Sequence, residues 1–114
     1  MSAIQILHNP RCSKSRQTLA LLEAQGIHPE IQLYLEQTPS VAELQAIIAK
    51  LGISVSELVR SGEADYKDNQ LKNADDKALL EAMVQFPKLI QRPIVINGDK
   101  AAIGRPPESV LDIL

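Results

Sequence analysis

The chain has 114 residues, a net charge of −2, 45% hydrophobic residues and one cysteine. This length fits one domain with its own hydrophobic core, so we predict a single domain over residues 1–114. One cysteine excludes an intramolecular disulfide. The single cysteine, the lack of a secretory signal and the lack of an apolar run of membrane-spanning length together predict a cytoplasmic protein. The slightly acidic charge argues against nucleic acid or a membrane as the partner.

The first predicted elements are a strand, a turn and a helix around this cysteine. Ile4, Ile6 and Leu7 indicate the strand, Asn9-Pro10 indicates the turn, and helical spacing of apolar residues begins after Ser13. Cys12 is therefore predicted at a helix N-terminus. There, free backbone N–H groups and the helix dipole stabilise an anion, which could be a thiolate or a bound oxyanion.

Cys12 has two interpretations at this position. As a nucleophile, it gains thiolate character from the helix and from residues close to it in sequence, which are His8, Arg11, Lys14 and Arg16. As an inert residue, it is a small buried hydrophobe, the commoner fate of a lone cysteine. The strand–turn–helix setting favours the nucleophile.

A second strand is predicted after the first helix. Gly26 is placed to end the helix, and residues 31–35 alternate between apolar and polar, so a parallel pair with a right-handed crossover is expected. His28 precedes a proline and is interpreted as a surface residue. We predict no metal site, because the sequence contains no other cluster of metal-ligating residues.

Residues 40–86 are predicted to be mainly helical and to form an insert after the second strand. Capping boxes at 40–43 and 54–57 begin two helices, and Gly52 ends the first of them. The second helix is expected to end at Arg60, which either compensates the helix dipole or binds an oxyanion. The polar residues 63–77 predict a loop with one turn of helix.

The last part of the chain predicts two antiparallel strands and a helix. Residues 89–96 lead into a third strand, Asn97-Gly98 is a type I′ hairpin signal, and residues 100–103 form its partner. Apolar residues in 110–113 indicate the last helix. The order of elements predicts an α/β, thioredoxin-like fold, with a mixed four-stranded sheet flanked by helices and the helical insert after the second strand.

In a thioredoxin-like fold, a cysteine after the first strand faces a cis-proline at the start of the third strand. Pro93 is the candidate for that proline, and a trans proline at the edge of the sheet is the alternative. All arginines lie beside turn or motif-like residues, whereas most lysines are scattered among acidic residues. Arginine suits oxyanion binding because its planar fork of donors matches such groups.

Several sequence blocks together resemble the glutaredoxin-coupled arsenate reductase family of thioredoxin-like proteins. They are HNPxCxxSR at 8–16, YLE at 34–36, Arg60 after a leucine-rich turn, LIxRPI at 89–94, and RP at 105–106 with VLDIL at 110–114. These blocks follow the family's order over nearly the whole chain.

The resemblance implies a reaction and a set of site residues. Cys12 would attack arsenate, glutathione would reduce the thiol–arsenate adduct, and glutaredoxin would resolve the mixed disulfide to release arsenite. His8 would help to lower the pKa of the thiol. Glutathione would be a co-substrate, with no bound cofactor. The residues implied to hold the oxyanion are Arg60, Arg92 and Arg105, and those implied to support the site are Ser15 and Pro93.

Two departures qualify the resemblance. The chain has no second cysteine, so it must use external thiols, which favours glutathione and glutaredoxin over a thioredoxin-linked route. Ser13-Lys14 stands where the best-known members have Gly-Thr, and Lys14 either aids anion binding or points to solvent. The alternative function is a thioredoxin-like thiol oxidoreductase or redox regulator of the same family without arsenate activity. Such regulators typically carry Cys-x-x-Cys, whereas position 15 is serine here.

Overall fold

A computed structural model of the chain describes residues 4–114. The chain forms two units. The first contains the sheet and combines the chain up to Gln37 with the segment Arg92–Leu114, and the second is helical and comprises Thr38–Gln91. The single domain over residues 1–114 stays a prediction.

The first unit is built on a mixed sheet of four strands in the order β2-β1-β3-β4. The strands are β1 (Ile4–Leu7), β2 (Glu30–Gln32), β3 (Ile94–Asn97) and β4 (Lys100–Ile103). Strand β1 runs parallel to β2 and antiparallel to β3, and β3 runs antiparallel to β4. This topology confirms the predicted thioredoxin-like arrangement.

One face of the sheet carries the core of the first unit. Ile6 and Val95 lie opposite each other on neighbouring strands, and both are fully buried. Leu22 of α1 (Ser13–Ala24) and Val110 of the C-terminal 3-10 helix (Pro107–Ile113) complete the cluster. Each such side chain contributes about 1.5–3 kcal/mol when fully buried, so this cluster fixes α1 against the sheet.

Strand β2 is shorter than predicted. It ends at Gln32, whose carbonyl accepts a hydrogen bond from the His8 N–H at 2.9 Å. Strand β1 has ended by then, so no partner remains for a longer parallel strand. Residues 33–37 instead form a turn in which the N–H groups of Glu36 and Gln37 bond to the Leu33 carbonyl. Tyr34 thus lies in a turn and not in a strand.

The second unit confirms the helical insert. Its helices are α2 (Val41–Leu51), α3 (Val55–Leu58), α4 (Ala64–Asp68) and α5 (Asp76–Gln85), with short 3-10 helices at Leu71–Asn73 and Pro87–Leu89. Both predicted capping boxes form, because the glutamate of each box bonds back to the serine N–H. Gly52 ends α2 with a φ of 69°, the left-handed conformation that glycine adopts readily.

The predicted position of Arg60 at a helix C-terminus is wrong. Helix α3 ends at Leu58, and Val59 is extended and pairs with Ile90 in an isolated antiparallel bridge. The Arg60 N–H continues this pairing with a hydrogen bond to the Leu89 carbonyl at 2.7 Å. Backbone pairing with a distant segment, which local sequence does not reveal, therefore stops the helix early.

Two further predictions near the C-terminus need correction. Asn97 pairs with Lys100, so the hairpin turn consists of Gly98 and Asp99, and of these only Gly98 has a positive φ. A type I′ turn needs positive φ at both positions, so the turn is of another type. The last helix is a 3-10 helix rather than an α-helix.

Within residues 4–114, no helix has both the length and the apolar character needed to cross a membrane. The same residues contain no group of three or more His, Cys, Asp or Glu side chains able to hold a metal ion.

Candidate active site

Cys12 is the N-cap residue of α1, as predicted. Its backbone is extended (φ −93°, ψ 123°), its N–H bonds to the Asn9 carbonyl at 3.0 Å, and its own carbonyl accepts from the Arg16 N–H at 3.0 Å. The side chain is partly exposed. A partly exposed sulfur on the first turn of a helix can both react with a substrate and receive hydrogen bonds from the helix.

The pKa of the Cys12 thiol is lowered from its ordinary value. Burial alone would raise this pKa, but the backbone N–H groups of Ser15 and Lys14 and the guanidinium of Arg92 stabilise the thiolate and lower it. These groups outweigh burial because they stabilise the thiolate directly. The reactive form of the cysteine is therefore favoured at this site.

The cations that act on the sulfur come from distant sequence. Arg92 lowers the thiol pKa, and Arg105 Nη2 lies 4.0 Å from Cys12 Sγ. Arg105 Nε also donates to the Arg92 carbonyl at 2.8 Å, which links the two arginines. Arg11 and Arg16, expected from the sequence to lower this pKa, are exposed, and Arg16 donates to the Pro10 carbonyl at 2.9 Å. The Lys14 side chain is exposed, and it is the backbone N–H of Lys14 that lowers the pKa of the Cys12 thiol.

The segments that carry Arg92 and Arg105 are held close to α1. The Arg92–Pro93 peptide is cis, at the proline proposed from the sequence. The Gly104 N–H bonds to the Pro93 carbonyl at 2.9 Å. A Cβ atom at Gly104 would lie 2.5 Å from Thr18 Oγ1 and 2.8 Å from Pro93 Cγ, so only glycine permits this approach.

His8 and Ser15 form a buried hydrogen-bonded pair beneath the cysteine. His8 Nδ1 lies 2.6 Å from Ser15 Oγ, which also accepts the Asn9 N–H at 3.0 Å. Burial lowers the pKa of His8, and the charge of Arg16 lowers it further, so the imidazole is neutral at pH 7. Because the Ser15 backbone N–H helps to lower the thiol pKa, His8 is connected to the thiol through Ser15. The expected effect of His8 on the thiol pKa stays a prediction.

Arg60 belongs to the second unit, where its Nη1 lies 3.9 Å from Glu63 Oε1. Its assignment to oxyanion binding therefore stays a prediction from the sequence blocks. His28 is exposed at the surface, in agreement with its interpretation as a surface residue.

Tyr34 is a residue near the site to which the sequence assigned no role. It is fully buried, and no described residue meets its hydroxyl with ordinary hydrogen-bond geometry, although the Arg92 and Asn9 side chains lie close to it. Burial raises its pKa, while the nearby Arg92 guanidinium and Asn9 side chain lower it in part. The signal in the sequence was its place in the YLE block at 34–36, for which no role was predicted.

A cavity of ≈ 350 Å³ lies beside the segment that leads into Cys12. It is lined by residues 8–11 and by Leu33, Leu35 and Glu36. Its walls combine apolar side chains with Arg11 and Glu36, so a small molecule bearing both charges would find partners there.

Comparison with known proteins identifies the family of the chain. A model described as the ArsC family matches residues 7–113. An arsenate reductase of Haemophilus influenzae is 56% identical, with 100% of both chains covered, and a protein of Escherichia coli K12 named "Uncharacterized protein YfgD" is 49% identical over 97% of this chain and 96% of that one. The solved structure of an arsenate reductase from Vibrio cholerae, 50% identical, covers 99% of this chain and 98% of its own with a TM-score of 0.96. The chain therefore belongs to the ArsC family of arsenate reductases, as its sequence blocks predicted.

Proposed function

We propose that this protein reduces arsenate to arsenite through Cys12, with glutathione and glutaredoxin as external thiols. The observation that carries the proposal is the Cys12 thiol of lowered pKa at the start of α1, with Arg92 and Arg105 beside the sulfur. Relatives that carry the name arsenate reductase match the chain over its full length, which supports the choice of substrate.

In the first step, the Cys12 thiolate attacks the arsenic of arsenate. A sulfur–arsenic bond forms, an arsenic–oxygen bond breaks, and the departing oxygen takes up a proton and leaves as water. Arsenic stays in its +5 state. Arsenate resembles phosphate and carries roughly −1.5 charge near pH 7, so it repels the thiolate that attacks it. The guanidinium groups of Arg92 and Arg105 and the N-terminus of α1 offset this repulsion, and this preorganised charge is the main contribution to the rate.

In the following steps, two thiols supply the two electrons that reduce arsenic to its +3 state. Glutathione joins the adduct, and arsenite leaves as a disulfide forms between Cys12 and glutathione. Glutaredoxin then attacks this mixed disulfide and returns Cys12 to its thiol. An external route is required because the chain has one cysteine and cannot form an internal disulfide. A glutathione-rich compartment such as the cytoplasm fits this requirement.

A coupled assay tests the proposal. Arsenate is added to the protein with glutathione, glutathione reductase, glutaredoxin and NADPH, and NADPH oxidation is followed. We expect a rate that depends on arsenate and disappears in Cys12→Ser, because only sulfur can begin the reaction. Leaving out glutathione or glutaredoxin one at a time identifies the external thiols. A rate no higher than the blank, with Cys12 intact and reduced, would contradict the proposal.

A second candidate is a thiol oxidoreductase that reacts with glutathione and does not use arsenate. A relative whose name states no activity is 49% identical, and one fold can host several functions, so a direct measurement is needed to separate the two candidates. One measurement distinguishes the two candidate functions. A thiol oxidoreductase would form and release a glutathione mixed disulfide at Cys12 at the same rate with and without arsenate.

A further inference from the structure

Tyr34 places a phenol hydroxyl beside the cysteine site. The turn that carries it follows β2 directly, and β2 ends where the His8 N–H bonds to the Gln32 carbonyl. The side chain is fully buried. The Arg92 guanidinium and the Asn9 side chain lie close enough to affect the ionisation of its hydroxyl, and the Cys12 sulfur lies within electrostatic range. The hydroxyl thus lies near groups of the candidate active site.

The Arg92 and Asn9 side chains lie near this hydroxyl, but no residue among 4–114 meets it with ordinary hydrogen-bond geometry. Buried hydroxyl groups are nearly always hydrogen-bonded, because leaving one unpaired away from water is unfavourable. A purely structural aromatic residue would pack equally well as phenylalanine. The unpaired hydroxyl therefore requires an explanation other than packing.

The chemistry of its neighbours defines the missing partner. The Arg92 guanidinium is a donor only, and the Asn9 Oδ1 atom is bonded to the Arg11 N–H at 3.0 Å, so the phenol proton has no dedicated acceptor. The Cys12 sulfur is an acceptor, but no hydrogen bond joins it to Tyr34 in the described residues. An oxyanion bound beside Arg92 and the sulfur would accept the hydrogen bond that this hydroxyl can donate.

We propose that Tyr34 is a further oxyanion-binding residue, whose hydroxyl donates a hydrogen bond to an oxygen of the arsenate held beside Cys12 and Arg92. The hydroxyl stays protonated at neutral pH, so it acts as a donor throughout. This proposal rests on the proposed function, because it concerns the same anion. It adds a neutral donor to the charged arginines, and it explains why a buried position keeps a hydroxyl.

The test compares Tyr34→Phe with the wild-type protein and with Tyr66→Phe. Tyr66 lies in α4 of the second unit and is the only other tyrosine, so its variant is a matched control. Affinity for phosphate, which cannot be reduced, is measured from its protection of Cys12 against alkylation. The rates are normalised to the anion-free rate of each variant. The KM for arsenate and the melting temperature are measured alongside.

The expected result separates binding from stability. Tyr34→Phe should weaken phosphate binding and raise the KM for arsenate by about 10- to 100-fold, which corresponds to one hydrogen bond to a charged group. Its melting temperature should be equal or higher, because the unpaired hydroxyl is gone. Tyr66→Phe should leave both binding measurements unchanged. Phosphate affinity in Tyr34→Phe within twofold of wild type would overturn the proposal, and so would a lower melting temperature together with weaker binding, which indicates a structural role.

A spectroscopic arm uses protein that retains Tyr34. The chain has no tryptophan, so in Tyr66→Phe the near-ultraviolet absorbance of tyrosine comes from Tyr34 alone. Saturating phosphate should change this absorbance, and the absence of any change would overturn the proposal. These outcomes are independent of catalysis. Weaker phosphate binding in Tyr34→Phe, with a melting temperature no lower than that of the wild type, would support the proposal even if the wild-type protein did not reduce arsenate, whereas unchanged binding in an active enzyme would refute Tyr34 alone.

Discussion

At the scale of single residues, the buried pair of His8 and Ser15 links the protonation of His8 to the stability of the fold. Ser15 Oγ is hydrogen-bonded to both His8 Nδ1 and the Asn9 N–H, so removing the hydroxyl would deprive two buried polar groups of a hydrogen bond. The Ser15 backbone N–H in turn helps to stabilise the Cys12 thiolate. The pair therefore holds a donor of the thiolate in place.

The lowered pKa of His8 predicts how stability depends on pH. A histidine whose folded pKa lies below its unfolded value contributes stability above the unfolded pKa, and this contribution is lost as the pH falls through the folded pKa. The unfolded chain binds the extra proton, so the free energy of unfolding should decrease as the pH falls below about 6.5.

His8→Asn tests this dependence, since asparagine keeps a polar group near the Nδ1 position and does not titrate. Urea unfolding of the variant and of the wild type at pH 7 and pH 5 gives the free energy of unfolding of each. We expect the wild type to lose more stability than the variant between these two values. Equal losses would mean that His8 is not held in its neutral form.

At the scale of elements, the contact between Gly104 and α1 determines where Arg105 lies. Thr18 of α1 donates to the Lys14 carbonyl at 2.8 Å and is fully buried, so it cannot move aside easily. A methyl group at position 104 would overlap Thr18 and Pro93.

Gly104→Ala should therefore lower stability and substrate affinity together. We expect a loss of about 1–3 kcal/mol from overpacking, and a higher KM for arsenate because the Arg105 guanidinium shifts away from the sulfur. Chemical denaturation and steady-state kinetics measure the two effects. Gly62→Ala is the control for stability, since nothing lies within 4 Å of its added methyl group. A Gly104→Ala protein as stable as the control would contradict this account.

The elements also show which features sequence can predict. The capping boxes of α2 and α3 were predicted correctly because each box depends on residues three positions apart. The end of β2 and the end of α3 were missed because each depends on pairing with a distant segment. Strand β2 stops where β1 stops, and α3 stops where Val59 pairs with Ile90.

At the scale of the whole molecule, the candidate site combines local and distant sequence. The position of Cys12 at a helix N-terminus followed from its own neighbourhood. Its approach to Arg105, 93 residues away in the chain, depends on the fold and came from the sequence blocks rather than from spacing. For the same reason, local sequence indicated Arg11 and Arg16 as the cations nearest the sulfur, and it gave no reason to choose Arg92 and Arg105.

Arg60 provides a prediction at this scale, because it belongs to the second unit. If it binds the oxyanion, Arg60→Gln should lower kcat/KM for arsenate by about 10- to 1000-fold, as expected for the loss of one charge-stabilising donor. Glu63→Gln is the matched control, since it removes the carboxylate 3.9 Å from Arg60 and keeps the arginine. A kcat/KM in Arg60→Gln equal to that of the control would remove Arg60 from the site.

The pKa of the Cys12 thiol tests the central claim most directly. The rate of alkylation by iodoacetamide is measured against pH, alone and with arsenate, phosphate or sulfate. Because the N-terminus of α1 and Arg92 stabilise the thiolate, we predict a pKa below that of free cysteine, ≈ 8.5, and slower alkylation when an oxyanion is bound. Arg92→Gln should raise the pKa and weaken the protection. A wild-type pKa equal to that of free cysteine, with no protection by any of the three anions, would contradict the proposed site.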